Sequence, residues 1–542
     1  MPPRTTSLSS RFNNGEFLLF AIIFFLAGWL RFENVASLPV GFHGDEAVSG
    51  LVGQQILREG NIGPYTPLAL GQPTGPLYLT ALSVRFFGST IWSVRAVSAL
   101  LGTLTVIALY FLLRRHQDDG DKHFGRVVAL LGMGLLAVMN WHLHFSRIGF
   151  PVIAWPFCTL LATWAALEAV QHRQARWWCI TGFLAGLGIY SYNAHSLCIA
   201  ALGLWVLFYL ARQRDVVWWH RIFWLLSFGG AVLLTTVPML RYALDPAHAY
   251  FDHAKLISIF SAPTSQWLQL EGIGPKVGFL IGRFIDFWDN LSWNSRVDAG
   301  DGTGVVPVVP LVMLVVALVG LVLGVKAKRG PLMEICLCYM LVLPFGSVLT
   351  LDGLNRRAFA LSPFLALLAA IGIVEIYRWA SAAPRENATK TARVQLPRWF
   401  VPGAVTLLCA IMVCQNLFSY FWRAAASPQL SWTFVQELTE TCHYLKTLPP
   451  NAHVYFYSDR WRSDYETRQF LVPNVLMEDR SEEFSKFSFD ITPGQGKPYF
   501  VLLGDYKKRL TELQKRYPHS HVKVGPKTAE DQDSFIALWP DD

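Results

Sequence analysis

The chain has 542 residues, of which 53% are hydrophobic and only 15% charged, with a formal net charge of +8. So apolar a composition excludes a soluble globular protein of this length and an intrinsically disordered chain. The basic excess falls between long apolar runs, which makes it a matter of membrane topology and leaves no nucleic-acid signature.

Uncharged apolar runs predict eleven membrane-spanning helices, at residues 17–32, 91–113, 127–145, 152–170, 178–193, 195–211, 222–240, 305–325, 332–351, 358–377 and 400–420. The run from Val305 to Val325 carries no charge and is long enough to cross a hydrocarbon core of about 30 Å. Arg4 and Arg11 before an apolar core give the N-terminus the look of a signal peptide. With ten more spans behind it, the first run is expected to remain as an uncleaved helix. The stretch Trp177 to Leu210 is too long for one ordinary helix, and Tyr190-Ser-Tyr-Asn-Ala-His195 is a natural turn within it.

Charge supports that division. With a cytoplasmic N-terminus, the inner connectors carry Arg114, Arg115, Lys122 and Arg126, then Arg173 and Arg176, then Arg212, Arg214 and Arg221. Lys326, Lys328 and Arg329 follow, and then Arg378, Arg385, Lys390, Arg393 and Arg398. Every basic connector then lies on one side, as the positive-inside bias requires, and merging the two halves at Tyr190 would break the alternation. The expected fold class is therefore a polytopic α-helical membrane protein, residues 1–420, with outer segments at 33–90, 241–304 and 421–542.

The first outer segment contains Gly75 to Phe87, with an apolar face suited to lying along the bilayer interface. The last reads as a small extracytoplasmic α/β domain. Helices are expected at Ser431 to Lys446 and Asp505 to Tyr517, and strands at Val454 to Tyr457, Tyr499 to Leu503 and Phe535 to Trp539. Ser381 to Pro397, polar with two prolines, reads as a cytoplasmic linker. Seven of the eight cysteines fall in or beside spans and only Cys442 in the outer domain, so no disulfide framework or metal cluster is expected.

The chemistry gathers at the outer ends of the spans. His43-Gly44-Asp45-Glu46 follows the first span and places two adjacent carboxylates and an imidazole beside the bilayer. The same level holds Arg147, Tyr190, Tyr192, Asn193, His195, Arg241, Tyr242, and Asn355-Arg356-Arg357. One outer arginine is commonly a lipid-phosphate anchor and an acid in a loop commonly a solvated charge. Several cations facing an acidic pair suit group transfer better, since guanidinium groups grip a phosphate and a carboxylate takes a proton from an incoming hydroxyl. A transporter or lipid flippase would share the spans and charges, but should carry ionisable residues at mid-membrane and related halves, and neither is evident. A receptor built on the outer domain would not need acids and cations at several separate span ends.

Several motifs carry a resemblance. They are Leu30-Arg31-Phe32 followed by Gly44-Asp45-Glu46, then Gly75-Pro76-Leu77-Tyr78, Phe87-Gly88, and Ser93 to Gly102. Gly186 to Tyr192 and Asn355 to Pro363 extend it over roughly residues 17–380. In their order and spacing the chain resembles the GT-C-type glycosyltransferases that use polyprenyl-phosphate sugars. That group includes the protein O-mannosyltransferases of glycosyltransferase family 39 and the lipid A aminoarabinose transferases. The resemblance implies a GT-C fold and a polyprenyl-phosphate sugar donor. It also implies transfer to a hydroxyl of a glycan, lipid or protein by inverting single displacement on the extracytoplasmic side of a cell inner (plasma) membrane. It makes Asp45 the base and Glu46 its support. Many relatives carry a lysine where this chain has Gln72, so Arg147, Arg356 and Arg357, with Gln72, are the candidates for the donor phosphate. His43, Tyr78, Tyr192, Asn193, His195 and Asn355 are the candidates for substrate contact. No cofactor is required, because arginine can meet the phosphate charge; a divalent ion at His43, Asp45 and Glu46 would be awkwardly crowded.

Overall fold

The computed structural model describes residues 13–116, 122–294, 300, 302, 304, 307–327, 330–381, 399–481, 488–492 and 496–541. The expected linker beyond Ser381 lies outside the described residues, as do Arg4, Arg11, Lys328, Arg329, Arg385, Lys390, Arg393 and Arg398.

Each predicted span falls on one helix or, at 127–145 and 332–351, on two. The helices in order are α1 (Asn14–Phe32), α2 (Gly44–Glu59) and α3 (Gly75–Phe87) of the first outer segment, α4 (Ile91–His116), α5 (Lys122–Val138), α6 (Asn140–Arg147), α7 (Ala154–His172), α8 (Ala175–Leu187), α9 (His195–Arg212) and α10 (Trp218–Leu244). Leu311–Lys326, Pro331–Val342, Ser362–Ser381 and Phe400–Phe418 complete the series. Among the described residues eight helices are long and apolar enough to cross a bilayer, nine counting α5 and α6 together, and Leu311–Lys326 is a shorter apolar helix.

Two junctions explain themselves. The division near Tyr190 is real: α8 stops at Leu187, a 3₁₀ turn covers Gly188–Tyr190, and α9 starts at His195. The predicted span 127–145 is broken where α5 meets α6 at 56°. A helix broken inside a protein must find partners for the backbone groups it releases. Arg31 supplies them, donating Nη1 to the Ala137 carbonyl at 3.0 Å and Nη2 to that of Leu136 at 3.4 Å. Asn416 Oδ1 accepts the Asn140 N–H at 2.7 Å.

Ion pairs tie one set of helix ends together. Buried Glu16 of α1 accepts from Tyr110 Oη at 2.8 Å and lies 3.3 Å from Arg126 Nε. Glu168 of α7 pairs with Arg115 of α4 at 2.9 Å, and Arg212 of α9 with Glu334 at 2.7 Å. These are the ends that the basic connectors place on a common side. At the opposite ends sit α2, α3 and a two-stranded hairpin, β1 (Tyr65–Thr66) with β2 (Gln72–Pro73).

α3 buries Leu77 and Ala81 with Val48, Val52 and Ile56 of α2, and exposes Leu79, Leu82 and Phe86. The helix Ile273–Ser292 was not anticipated as an element. It exposes Ile273, Val277, Ile281 and Ile285 at every fourth position, a stripe along one face.

The C-terminal part holds a five-stranded sheet. Its strands are β3 (Ala452–Tyr457), β4 (Leu476–Asp479), β5 (Lys497–Leu502), β6 (Ser520–Val524) and β7 (Ile536–Pro540), in the order β4-β3-β5-β7-β6. The three expected strands are β3, β5 and β7, whose continuous apolar runs mark buried positions; β4 is a half-exposed edge and β6 a largely exposed one, both with weak apolar signals. The expected helix from Ser431 to Lys446 is two, Pro428–Thr433 and Gln436–Leu445, because Val435 adopts a left-handed conformation at φ 44°.

Candidate active site

The start of α2 organises the outer face. His43 is its N-cap: Nδ1 accepts the Asp45 N–H at 2.9 Å, and Glu46 reciprocates by accepting the His43 N–H on Oε2 at 3.0 Å. This mutual capping fixes the first turn, and so fixes where Asp45 and Glu46 point.

The two carboxylates then part company. Glu46 is fully buried against fully buried Arg95 of α4. Its Oε1 accepts from Arg95 Nε at 2.8 Å and from the Gly149 N–H at 2.7 Å. Its Oε2 accepts from Arg95 Nη2 at 2.9 Å as well as from His43. Arg95 Nη1 donates to the carbonyls of Val35 (3.0 Å) and Pro39 (2.8 Å), and Nη2 to that of Gly41 (2.6 Å). All five guanidinium donors and the four acceptor positions of the carboxylate are engaged, so neither group has capacity left for a substrate. Glu46 ties α2 to α4 and to the turn before α7. A buried charge pair is tolerated only when so completely hydrogen-bonded.

Asp45 is different. It is half-buried in the first turn of α2, and among the described residues its carboxylate has no hydrogen-bond or ion-pair partner. The C-terminal part roofs it. Gly44 leaves no room for a side chain, since a Cβ there would lie 2.8 Å from Tyr465 Oη. Thr467 Oγ1 donates to the Phe42 carbonyl at 2.8 Å, and Phe42 N–H donates to the Phe434 carbonyl at 2.7 Å. The His43 ring lies edge-on between Phe150 (5.2 Å) and Phe434 (5.6 Å). Burial, then the charges of Glu466 and Asp45, push the Tyr465 hydroxyl up to about 12, so it stays a neutral hydrogen-bond donor beside Asp45.

The other expected residues fall into three groups. The first is structural. Arg147, expected at the donor phosphate, is buried and donates Nη1 to Leu30 O at 2.6 Å and Nη2 to Glu33 O at 2.7 Å and Leu38 O at 3.1 Å. It caps carbonyls at and just beyond the C-terminal end of α1. His195 is buried with Nε2 2.8 Å from the Ala185 carbonyl and its ring seated where a Gly188 side chain would stand. Tyr78 donates to Asn61 Oδ1 at 2.9 Å, closing the loop before the hairpin, and the Tyr192 ring packs on Trp155 at 5.3 Å.

The second group surrounds the hairpin. Asn193 Nδ2 reaches Tyr65 Oη at 3.5 Å and Gly71 O at 3.4 Å, and the Tyr65 ring meets Tyr250 at 4.6 Å. Gln72 Nε2 is buried there with no hydrogen-bond partner among the described residues.

The third group is the segment Asn355–Leu361. Arg357 pairs with Asp352 through both guanidinium ends, and Arg356 stands half-buried beside it. Burial, then the charge of Arg357, lowers the pKa of His253, with Asp352 opposing and Arg356 adding to the effect. Asn355 Oδ1 is buried without a partner among the described residues. This segment joins the Asp45 region through a chain of tilted and edge-on ring contacts: Phe359 to Phe145 (4.6 Å), Phe145 to Phe150 (6.3 Å), and Phe150 to His43. Among the described residues no three His, Cys, Asp or Glu side chains gather closely enough to hold a metal ion.

Arg95 and Arg31 were not singled out from the sequence, although the motifs containing them were. The available signal was an arginine inside an otherwise apolar helix, which requires a buried partner. The roof formed by Phe434 and Tyr465 had no local signal, because it depends on the fold of a distant segment.

Residues 71–242 match the family model described as dolichyl-phosphate-mannose-protein mannosyltransferase. An undecaprenyl phosphate-alpha-4-amino-4-deoxy-L-arabinose arabinosyl transferase of Pseudomonas savastanoi pv. phaseolicola is 27% identical over 247 residues, covering 44% of this chain and 42% of that protein. The same-named protein of Pseudomonas aeruginosa strain LESB58 is 26% identical over 219 residues, covering 38% and 37%. The matched region thus spans about two fifths of the length of these curated relatives. The crystal structure of ArnT from Cupriavidus metallidurans in the apo state superimposes with a TM-score of 0.52 at 14% identity, covering 97% of this chain and 98% of that one. The resemblance to GT-C polyprenyl-phosphate-sugar glycosyltransferases is borne out, and the fold is ArnT-like: a multi-pass helical membrane protein with a small C-terminal sheet.

Proposed function

We propose that the chain is a membrane glycosyltransferase that moves a sugar from a polyprenyl-phosphate donor to an acceptor hydroxyl, with Asp45 as the base. The observation that carries this reading is the division of labour between the paired acids. Glu46 is saturated by Arg95, His43 and Gly149, while Asp45 keeps a carboxylate without a partner among the described residues, in the same first helical turn that Glu46 and His43 fix. The names of the relatives, which specify an undecaprenyl phosphate sugar and a dolichyl-phosphate mannose, support the donor class.

In this mechanism Asp45 takes the proton from the acceptor hydroxyl as its oxygen attacks the anomeric carbon. The bond from that carbon to the phosphate oxygen breaks, the configuration inverts, and polyprenyl phosphate leaves. Positioned base catalysis contributes about 10²–10⁴ in rate. Arg356 and Arg357 meet the charge on the leaving phosphate, and the partnerless Nε2 of Gln72 donates a hydrogen bond to it. The site lies on the extracytoplasmic face of a bacterial inner membrane, with the N-terminus cytoplasmic and residues 421–542 outside. The clustering of basic connectors at the opposite helix ends supports that orientation.

The test is transfer of radiolabel from undecaprenyl-phosphate sugars to extracted cell-envelope acceptors by the purified protein. Transfer that requires Asp45 supports the reading. Transport of the donor across vesicles with no transfer to any acceptor would replace it with a flippase.

A further inference from the structure

Behind the roof over Asp45, the C-terminal part carries a shallow cleft between the helices Pro428–Thr433 and Gln436–Leu445, the loop after β3, and the loop before β7. Ser431, Trp432, Gln436, Glu437, Arg460 and Trp461 line it; its enclosed space is only about 10 Å³, so it is an open platform across whose mouth a ligand would lie.

Its chemistry is specific. The indoles of Trp432 and Trp461 stand 5.4 Å apart at 44°, and Trp432 is 48% exposed although it belongs to the cleft wall. The Arg460 guanidinium lies 4.9 Å from the Trp432 ring centroid. Glu437 is 6% exposed; its Oε1 accepts from the Gly504 N–H and from Lys507 Nζ, each at 3.0 Å. Its Oε2 is buried with no hydrogen bond, and the nearest cation, Arg460 Nη1, stands at 3.6 Å. Trp461 Nε1–H is likewise buried with no acceptor. An exposed indole beside a second one suits a pyranose, with a carboxylate oxygen held only by an ion pair at 3.6 Å and an indole N–H without an acceptor lying just beneath the surface. The sugar's C–H face lies on an indole, one hydroxyl donates to a carboxylate, and another accepts from an indole N–H. Buried polar atoms left without partners are costly, so a ligand that satisfies both gains from each.

The walls of the cleft are packed against the roof over the proposed site. Trp461 packs edge-on against Tyr465 at 5.3 Å, and Tyr465 Oη lies over Gly44, next to Asp45. On the other wall, Trp432 and Val435 flank Phe434, whose ring meets His43.

We infer that this cleft is a saccharide-binding subsite that holds a sugar ring of a glycan-bearing acceptor while another of its hydroxyls reaches Asp45. The acceptor class is therefore carbohydrate. This rests on the transferase reading for its purpose, but not for its binding chemistry.

The test uses the full-length protein in detergent and a defined probe, methyl β-D-glucoside, followed by saturation-transfer NMR. Saturation transfer to the ring C–H protons is expected, and W432A should weaken probe binding about tenfold, equivalent to about 1.4 kcal/mol. E437Q, which keeps the shape but removes the charge, should weaken it several-fold, whereas W293A, an exposed tryptophan elsewhere, should leave it unchanged. Equal probe binding by wild type and W432A would overturn the inference and leave Trp432 as a bilayer anchor. In the transfer assay W432A should raise the KM for a glycan acceptor and not that for the donor; equal rises in both would also count against it. Probe binding sensitive to W432A in a protein that transfers no sugar would sink the transferase reading while the subsite stood.

Discussion

Replacing Glu46 separates a supporting carboxylate from a reacting one. In Glu46→Ala the Arg95 guanidinium stays in a fully buried site, holding only the carbonyls of Val35, Pro39 and Gly41, while the N–H groups of His43 and Gly149 lose their acceptor. Breaking a buried pair in this way costs about 3–5 kcal/mol, because it leaves an uncompensated charge rather than because the pair itself is so favourable. The thermal midpoint of the detergent-solubilised protein should fall by about 3–4 °C, read by loss of monodisperse protein after heating. Glu46→Gln should fall less, since the amide oxygen still accepts from Arg95 while its NH₂ faces donors. The double change of Glu46 and Arg95 to Met should recover part of the loss and not all of it, because three carbonyls still lack a donor. A Glu46→Ala protein with the wild-type midpoint but no transfer would refute the reasoning and make Glu46 a reacting group.

Three further outcomes follow from the same geometry. Arg147→Gln should cost stability by about 2–4 kcal/mol through the lost caps on α1, and should not selectively change the KM for donor; a selective donor defect in a stable protein would restore the phosphate role. Arg356→Gln with Arg357→Gln should raise the donor KM at least tenfold, measured against a series of polyprenyl-phosphate sugars, and an unchanged value would remove both from the phosphate site. Tyr465→Phe should leave the roof packed, given the ring contact with Trp461, and slow transfer several-fold if the hydroxyl orients Asp45 or the acceptor; a wild-type rate would make Tyr465 packing alone.

Much of the membrane architecture was legible because the bilayer enforces it. Uncharged runs of the right length and the one-sided placement of Arg and Lys located the helices, down to the break at Tyr190 that length alone left open. The kink between α5 and α6 was hidden, because the side chains that make it possible, Arg31 and Asn416, lie over a hundred residues away on either side. The acidic pair was visible as a motif, but adjacency in sequence concealed opposite fates: in the first turn of a helix, successive side chains point about 100° apart, so Glu46 turns inward to Arg95 and Asp45 does not. Arg147 and His195 looked available because they end spans, yet buried polar side chains at such ends more readily satisfy nearby backbone carbonyls. The edge strands β4 and β6 lacked the apolar runs that betrayed β3, β5 and β7.

The proposed mechanism turns on Asp45 as the group that takes the acceptor proton. Its most direct test is the single-turnover rate of sugar transfer from undecaprenyl-phosphate donor by Asp45→Asn, beside the thermal midpoint of the same protein. A rate lower by about 10²–10⁴ at an unchanged midpoint is the predicted result. Transfer at the wild-type rate by a folded Asp45→Asn protein would contradict it.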